Sequence, residues 1–189
     1  MHILLFGGAF DPPHVGHQTM IEQVLAKKIA DEVWFVPSAQ HPFAKQMSLE
    51  KQRVAMLELL QLPHTKIWKY EVNKKTAGFS FDSASTAMRE FPEHTFSWLI
   101  GSDQLKSFHR WGKWEELLRL LPFYVYPRKG FPMDPLYEGM IEIKNVPMVD
   151  ISSTEVRKEI QETGQSDFIS EKIQMYITEH ELYKYSEKV

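Results

Sequence analysis

Apolar and polar positions alternate along this chain in two rhythms. Ile3-Leu4-Leu5-Phe6 is a continuous apolar run of the kind a strand buried on both faces requires. Met20, Ile21, Val24, Leu25 and Ile29 then recur at helical spacing and predict an amphipathic helix beginning near residue 15. Glu32-Val33-Trp34-Phe35-Val36-Pro37 is β-branched and aromatic, a second strand. Strand, helix and strand so close together predict a βαβ unit with a right-handed crossover. The polar segment 38–47 reads as a loop, after which Ser48 is expected to cap a helix carrying Leu49, Ala55, Met56, Leu59 and Leu60. Lys66 to Val72 alternates through Ile67, Trp68, Tyr70 and Val72, which predicts a third strand near an edge.

The second half keeps the pattern. A turn through Lys74, Lys75 and Gly78 leads to a helix over about 82–89, and Phe96-Ser97-Trp98-Leu99-Ile100 predicts a buried central strand ending at Gly101-Ser102-Asp103. A helix over Trp114 to Leu120, a strand over Phe123 to Tyr126, a Pro- and Gly-rich loop over 128–135 and one short strand within 140–149 follow. Ser152 and Glu155 form a capping box ahead of Val156 and Ile160, and Ile169, Ile173, Tyr176 and Ile177 predict a last helix within 168–183. The expected fold is α/β: a Rossmann-like, doubly wound, mainly parallel sheet with flanking helices. One domain over 1–189 is expected, with the helical part from about 152 packed on the sheet.

Composition narrows the function. The 189 residues carry 22 basic and 25 acidic side chains, a net charge of −3, so no surface is devoted to nucleic-acid backbones and no nucleic-acid partner is expected. Cysteine is absent, which excludes disulfides, thiolate metal sites and a cysteine nucleophile. No window approaches the roughly 18 apolar residues of a membrane span, and glycines interrupt the first apolar run, so a cytoplasmic protein with no membrane partner is expected. The aromatic run Phe123 to Tyr126 and the loop after it are either a homo-oligomer contact or simple core and surface.

The candidate chemistry lies in three segments that the fold would bring to the carboxyl ends of the strands: 7–17, 101–103 and 151–157. A glycine turn followed by a helix start presents unpaired N–H groups and a positive dipole end to an anion. His14 and His17, three residues apart, place two imidazoles there, with Gly16 leaving room between them for a phosphate. The turn matches neither the P-loop nor the dinucleotide glycine pattern, and no glutamate completes a zinc-protease motif, so no protein-held metal is expected. Ser152-Ser153-Thr154-Glu155-Val156-Arg157 is either an ordinary capped helix or a second anion site with Arg157 as a planar fork. Phosphoryl or nucleotidyl transfer is the implied chemistry.

Gly7-Gly8-Ala9-Phe10-Asp11-Pro12-Pro13-His14-Val15-Gly16-His17 and Ile151 to Arg157 resemble motifs of the bacterial nicotinate mononucleotide adenylyltransferases, of the HxGH nucleotidyltransferase superfamily. His41-Pro42-Phe43-Ala44-Lys45-Gln46, Leu99 to Asp103, His109-Arg110-Trp111 and Ile173 to Tyr183 extend the resemblance over essentially the whole chain. It departs at Thr76-Ala77-Gly78-Phe79-Ser80-Phe81-Asp82-Ser83, where the family has Gly-Pro-Ser-Tyr-Thr-Phe-Asp-Thr and holds a pyridine carboxylate on backbone amides. The resemblance implies transfer of AMP from ATP to nicotinate mononucleotide, with Mg²⁺ carried on the nucleotide. It implies that His14, His17 and Arg157 are catalytic and bind ATP phosphates with Lys45, Ser152, Ser153 and Thr154. Gly7, Gly8, Phe10, Gly101, Asp103 and Ile151 complete the implied ATP site; Ala9, Lys45, Phe79, Ser80, Asp103 and Trp111 form the mononucleotide site. In this scheme Asp103 takes a ribose hydroxyl, Trp111 stacks on the pyridine ring, and Trp114 packs. Alternatives are a nicotinamide mononucleotide or pantetheine-phosphate acceptor, or an ATP sensor without turnover.

Overall fold

The computed structural model describes residues 1–39, 47–60, 62–74 and 79–184. Its scaffold is a six-stranded sheet in the order β3-β2-β1-β4-β5-β6. The strands are β1 (His2–Gly8), β2 (Glu32–Pro37), β3 (Thr65–Ile67), β4 (Thr95–Gly101), β5 (Phe123–Tyr126) and β6 (Met140–Glu142). Every neighbouring pair is parallel, with Leu5 opposite Trp34 on one side and Trp98 on the other. Sequence order reverses beside β1, so the crevice between β1 and β4 at the carboxyl edge is the place such sheets reserve for ligands.

The period-two alternation of each strand divides the core between the two faces. Leu4, Phe6, Phe35 and Leu99 meet Ile21 and Val24 of α1 (Val15–Ala26) and Met56 and Leu57 of α2 (Glu50–Glu58). Val156 and Ile160 of α6 (Ser153–Thr163) and Ile173 and Ile177 of α7 (Glu171–Glu179) join the same cluster, so the C-terminal helices pack on this face. On the opposite face Ile3, Leu5, Trp98, Ile100 and Phe123 pack against Ala84 and Ala87 of α4 (Ser80–Glu90) and Leu117 of α5 (Trp114–Leu120). Burying each such large apolar side chain contributes about 1.5–3 kcal/mol. Phe123, Val125 and Tyr126 are fully buried within the chain, so these three side chains belong to the core.

Local expectations were overturned where a long-range partner intervenes. Ser48 does not cap α2. Its N–H donates to Asp11 Oδ2 at 3.0 Å, and Gln52 Oε1 instead accepts from the N–H of Leu49 at 3.1 Å. The predicted third strand ends at Ile67; Tyr70–Lys74 is a short helix, α3. Its turn buries Glu71, whose Oε1 accepts from Ser83 Oγ at 2.6 Å, while Trp68 and Tyr70 stack at 5.0 Å. Sequence reading also missed a 3-10 helix over Ser102–Arg110. The segment 140–149 splits: β6 takes three residues, and Val149 pairs separately with Arg128. The last helix is shorter than its apolar stripe, starting after Ser170, whose Oγ accepts from Ile173 N–H at 3.4 Å.

Candidate functional site

A cavity of about 540 Å³ opens at the carboxyl edge of β1 and β4 and straddles the sheet. Its floor is the loop after β1. Gly7 has no room for a side chain, since a Cβ there would lie 2.7 Å from the Trp98 ring. Phe10 takes a left-handed backbone (φ 51) and is held in it by burial, its ring edge-on to Phe6 and Phe35. Gly8, Ala9 and Phe10 line the cavity, and the Phe10 ring lies 5.1 Å from the His17 ring.

The two histidines start α1 and cap it reciprocally. His14 Nδ1 accepts from Gly16 N–H at 3.1 Å, and His17 Nδ1 accepts from His14 N–H at 3.2 Å. The rings stand 3.9 Å apart. With both Nδ1 atoms accepting, the network assigns the neutral-ring proton to Nε2, the atom each ring can offer to an anion. Burial, and next the Arg128 charge, push His14 down to about 3. Burial, then His14 and Arg128, push His17 well below the ordinary histidine value. Both imidazoles are therefore neutral donors at neutral pH. Gly16 leaves room beside the His14 ring. A Cβ there would sit 2.7 Å from Val149 Cγ1 and 2.9 Å from His14 Cε1, so this glycine lets the capping ring pack.

The start of α6 forms the facing wall. Ser152 and Glu155 make the predicted box, Ser152 N–H donating to Glu155 Oε2 at 2.8 Å and Glu155 N–H donating to Ser152 Oγ at 3.3 Å. Ser153 Oγ donates to the Pro12 carbonyl at 2.9 Å, and Arg157 Nη1 to the Asp11 carbonyl at 2.6 Å. Arg157 Nη2 also meets Thr154 Oγ1 at 3.2 Å. These bonds stitch the two helix starts together, so the segment is both a capped helix and a cavity wall. Ile151 stays out of the cavity lining; its side chain is buried and its carbonyl accepts from Arg128 Nη2 at 2.5 Å.

On the other side of the sheet edge, Phe79, Ser80, Gly101, Asp103 and Trp111 line the cavity, whereas Trp114 packs on Phe108 and Tyr137 away from it. A Cβ on Gly112 would lie 2.8 Å from the Phe79 ring, so the two aromatic elements close on each other there. Lys45 and the rest of 41–46, and Lys75 with 76–78, lie outside the described residues.

Several groups escaped sequence reading. Asp11 is buried, and its carboxylate accepts from Ser48 N–H and from the Tyr183 hydroxyl. Arg53 is fully buried and donates to the carbonyls of Ala9 (2.7 Å), Ser38 (2.6 Å) and Ser48 (3.1 Å). Glu71 reaches the cavity wall, and burial pushes its carboxyl up to about 6 against the Ser83 hydrogen bond. Arg128 lies in the wall between Asp103 and Ile151. Apolar periodicity carries no sign of them, because each acts across the fold.

Two helix starts, neutral imidazole donors and the guanidinium of Arg157 suit a polyphosphate, and the aromatic half suits a flat ring. No group of three or more potential metal-ligating side chains occurs among the described residues. Parallel doubly wound sheet and anion-binding crevice together define a nucleotide-handling α/β protein. The chain belongs to the cytidylyltransferase-like family, whose model matches residues 5–159. It is 32% identical over 186 residues to the nicotinate-nucleotide adenylyltransferase of Bacillus subtilis (strain 168), covering 95% of this chain and 97% of that one. Among solved structures it resembles the Plasmodium falciparum nicotinic acid mononucleotide adenylyltransferase complexed with NaAD, with TM-score 0.81, 21% identity and 98% of each chain covered. The structure of the same enzyme complexed with APC gives a TM-score of 0.76, covering 98% of each chain at 21% identity. These two likenesses show the fold.

Proposed function

We propose that the chain is a nicotinate-nucleotide adenylyltransferase: it transfers AMP from ATP to the 5′-phosphate of nicotinate mononucleotide, a step in NAD biosynthesis. The observation that carries this reading is one cavity walled by both helix starts, with His14, His17, Ser152, Ser153 and Arg157 on its rim and Trp111 and Phe79 beyond them. Full-length similarity to the Bacillus subtilis enzyme supports the acceptor. A reaction that draws on ATP fits a cytoplasmic enzyme.

In the reaction an oxygen of the acceptor phosphate forms a bond to the α-phosphorus of ATP. The bond to the β-phosphate bridging oxygen breaks, and its electron pair leaves with pyrophosphate. The acceptor is already an anion, so no protein base is required; positioning and charge stabilisation supply the rate. In this reading His14 and His17 donate Nε2–H to phosphate oxygens, and Arg157 neutralises the departing pyrophosphate. Amides at the α6 start join them, since the hydroxyls of Ser152 and Ser153 are already engaged. Gly7, Gly8, Phe10 and Gly101 shape the nucleotide side, Asp103 takes a ribose hydroxyl, and Ala9, Phe79, Ser80 and Trp111 enclose the pyridine nucleotide. Lys45 is assigned to the phosphates by resemblance alone. Mg²⁺ arrives with ATP, held by phosphate oxygens and water. Of the carboxylates beside the cavity, Asp11 accepts from Ser48 and Tyr183, while Asp103 and Glu71 each accept through one oxygen, from Gln104 and Ser83.

The test is pyrophosphate release from Mg·ATP with nicotinate mononucleotide, nicotinamide mononucleotide or pantetheine phosphate as acceptor. The acid mononucleotide is expected to react fastest. Equal rates with the amide, preference for pantetheine phosphate, or ATP binding without turnover would each replace this reading with the corresponding alternative.

A further inference from the structure

Arg128 lies in the cavity wall, yet it comes from a Pro- and Gly-rich loop with no motif of its own. Its side chain is 15% exposed. Nη2 donates to the Ile151 carbonyl at 2.5 Å, the last carbonyl before the Ser152 cap of α6. Nε makes no hydrogen bond and faces Asp103 Oδ1 at 3.6 Å, while the other Asp103 oxygen accepts from Gln104 Nε2 at 2.7 Å. The backbone is anchored too, since Arg128 N–H donates to Ser102 Oγ at 2.9 Å and Ser102 Oγ to the Phe131 carbonyl at 2.7 Å. Gly101 is shaped around the pair. A Cβ there would collide with the Asp103 carboxylate and come within 2.6 Å of Arg128 Cδ.

We infer that Arg128 is a positioning residue that locks the ribose-side carboxylate, Asp103, to the phosphate-side start of α6, so that the two halves of the substrate site keep one register. The inference rests on the assignment of this cavity to ATP and the mononucleotide. One planar fork spans both contacts, which a lysine cannot do. A misplacement of about 1 Å between reacting groups can cost on the order of 10²-fold in rate. Arg128 also adds positive charge beside both imidazoles, favouring their neutral state. Its action on the reaction passes through Asp103 and the α6 start.

A double-mutant cycle tests this. Arg128→Met and Asp103→Asn are made singly and together, and kcat/KM for ATP is compared. Each single change is expected to lower it about 10- to 100-fold. The double variant should fall no more than about threefold below the worse single variant, because the second change breaks a contact already lost. Arg128→Lys, which keeps the charge and loses the fork, should recover less than half of the loss on a logarithmic scale. Losses that multiply, a full rescue by lysine, or an Arg128→Met enzyme within twofold of the parent would overturn the inference. Should Arg128→Met not fold, Arg128→Lys and Arg128→Gln carry the same cycle. Calorimetric ATP affinity, read on all four proteins, reports the same coupling without turnover, so failure of the adenylyl-transfer reading remains distinguishable.

Discussion

The cap that starts α1 is made by the same two side chains that meet the substrate phosphates in the proposed reaction. That double use has consequences for each histidine. His17→Ala is expected to lower kcat at least ~10²-fold, on the scale of removing a preorganised electrostatic donor. Steady-state pyrophosphate release measures it, and an active variant would take this ring out of the chemistry. Because both rings are held neutral, their charge state should not change between pH 6 and 8. The pH profile of kcat/KM is therefore expected to show no imidazolium-dependent fall across that range, and a loss of activity on deprotonation near pH 6.5 would contradict it. Stability carries the opposite signature. His14 is neutral in the fold down to about 3, while an unfolded histidine takes its proton near 6.5. The unfolded chain therefore binds more protons below pH 6.5, and this group weakens the fold by about 1.4 kcal/mol per pH unit as acidity rises toward 3. Glu71, raised to about 6 by burial, offsets part of the loss between its folded value and its ordinary one, since there the folded state holds the extra proton. Urea unfolding between pH 7 and 4.5 should show net destabilisation on acidification.

At the scale of elements, α6 depends on Ser152, whose replacement by alanine removes the hydroxyl half of a reciprocal cap and leaves only its N–H bond to Glu155. Ser152→Ala is expected to cost about 1 kcal/mol in chemical unfolding and to raise KM for ATP more than KM for the acceptor, as the helix start loosens. Which elements were legible follows from where their determinants lie. β1, β2 and β4 are buried on both faces, so their cores are apolar runs, interrupted only by Ser97 in β4, and their residues suffice to place them. The capping box of α6 and the histidine pair are local as well. The turn at α3 is not, because Glu71 is drawn inward by Ser83, twelve positions away. Ser48 was misassigned for the same reason, its side chain bonding Tyr183 and its N–H Asp11 while the helix cap falls one residue later, at Leu49. Arg128 and Arg53 were invisible because their partners are carbonyls and carboxylates in distant loops, and a hydrogen-bonded carbonyl leaves no mark on composition.

Across the whole molecule, the face of the sheet below the phosphate loop is completed by the C-terminal helices. Ile160 and Ile173 are almost fully buried there, and truncating either to alanine is expected to cost about 2–5 kcal/mol, read by thermal unfolding. ATP should offset part of that loss by mass action, since it binds the folded state alone. The same architecture ties loop to terminus through Asp11, whose carboxylate is met by the Tyr183 hydroxyl across 172 positions of sequence. During synthesis the first strand, the glycine turn and both histidines leave the ribosome early, yet translation must run past residue 183 before Asp11 gains that bond. A nascent chain paused short of that point carries every proposed catalytic side chain and still lacks the clasp around them.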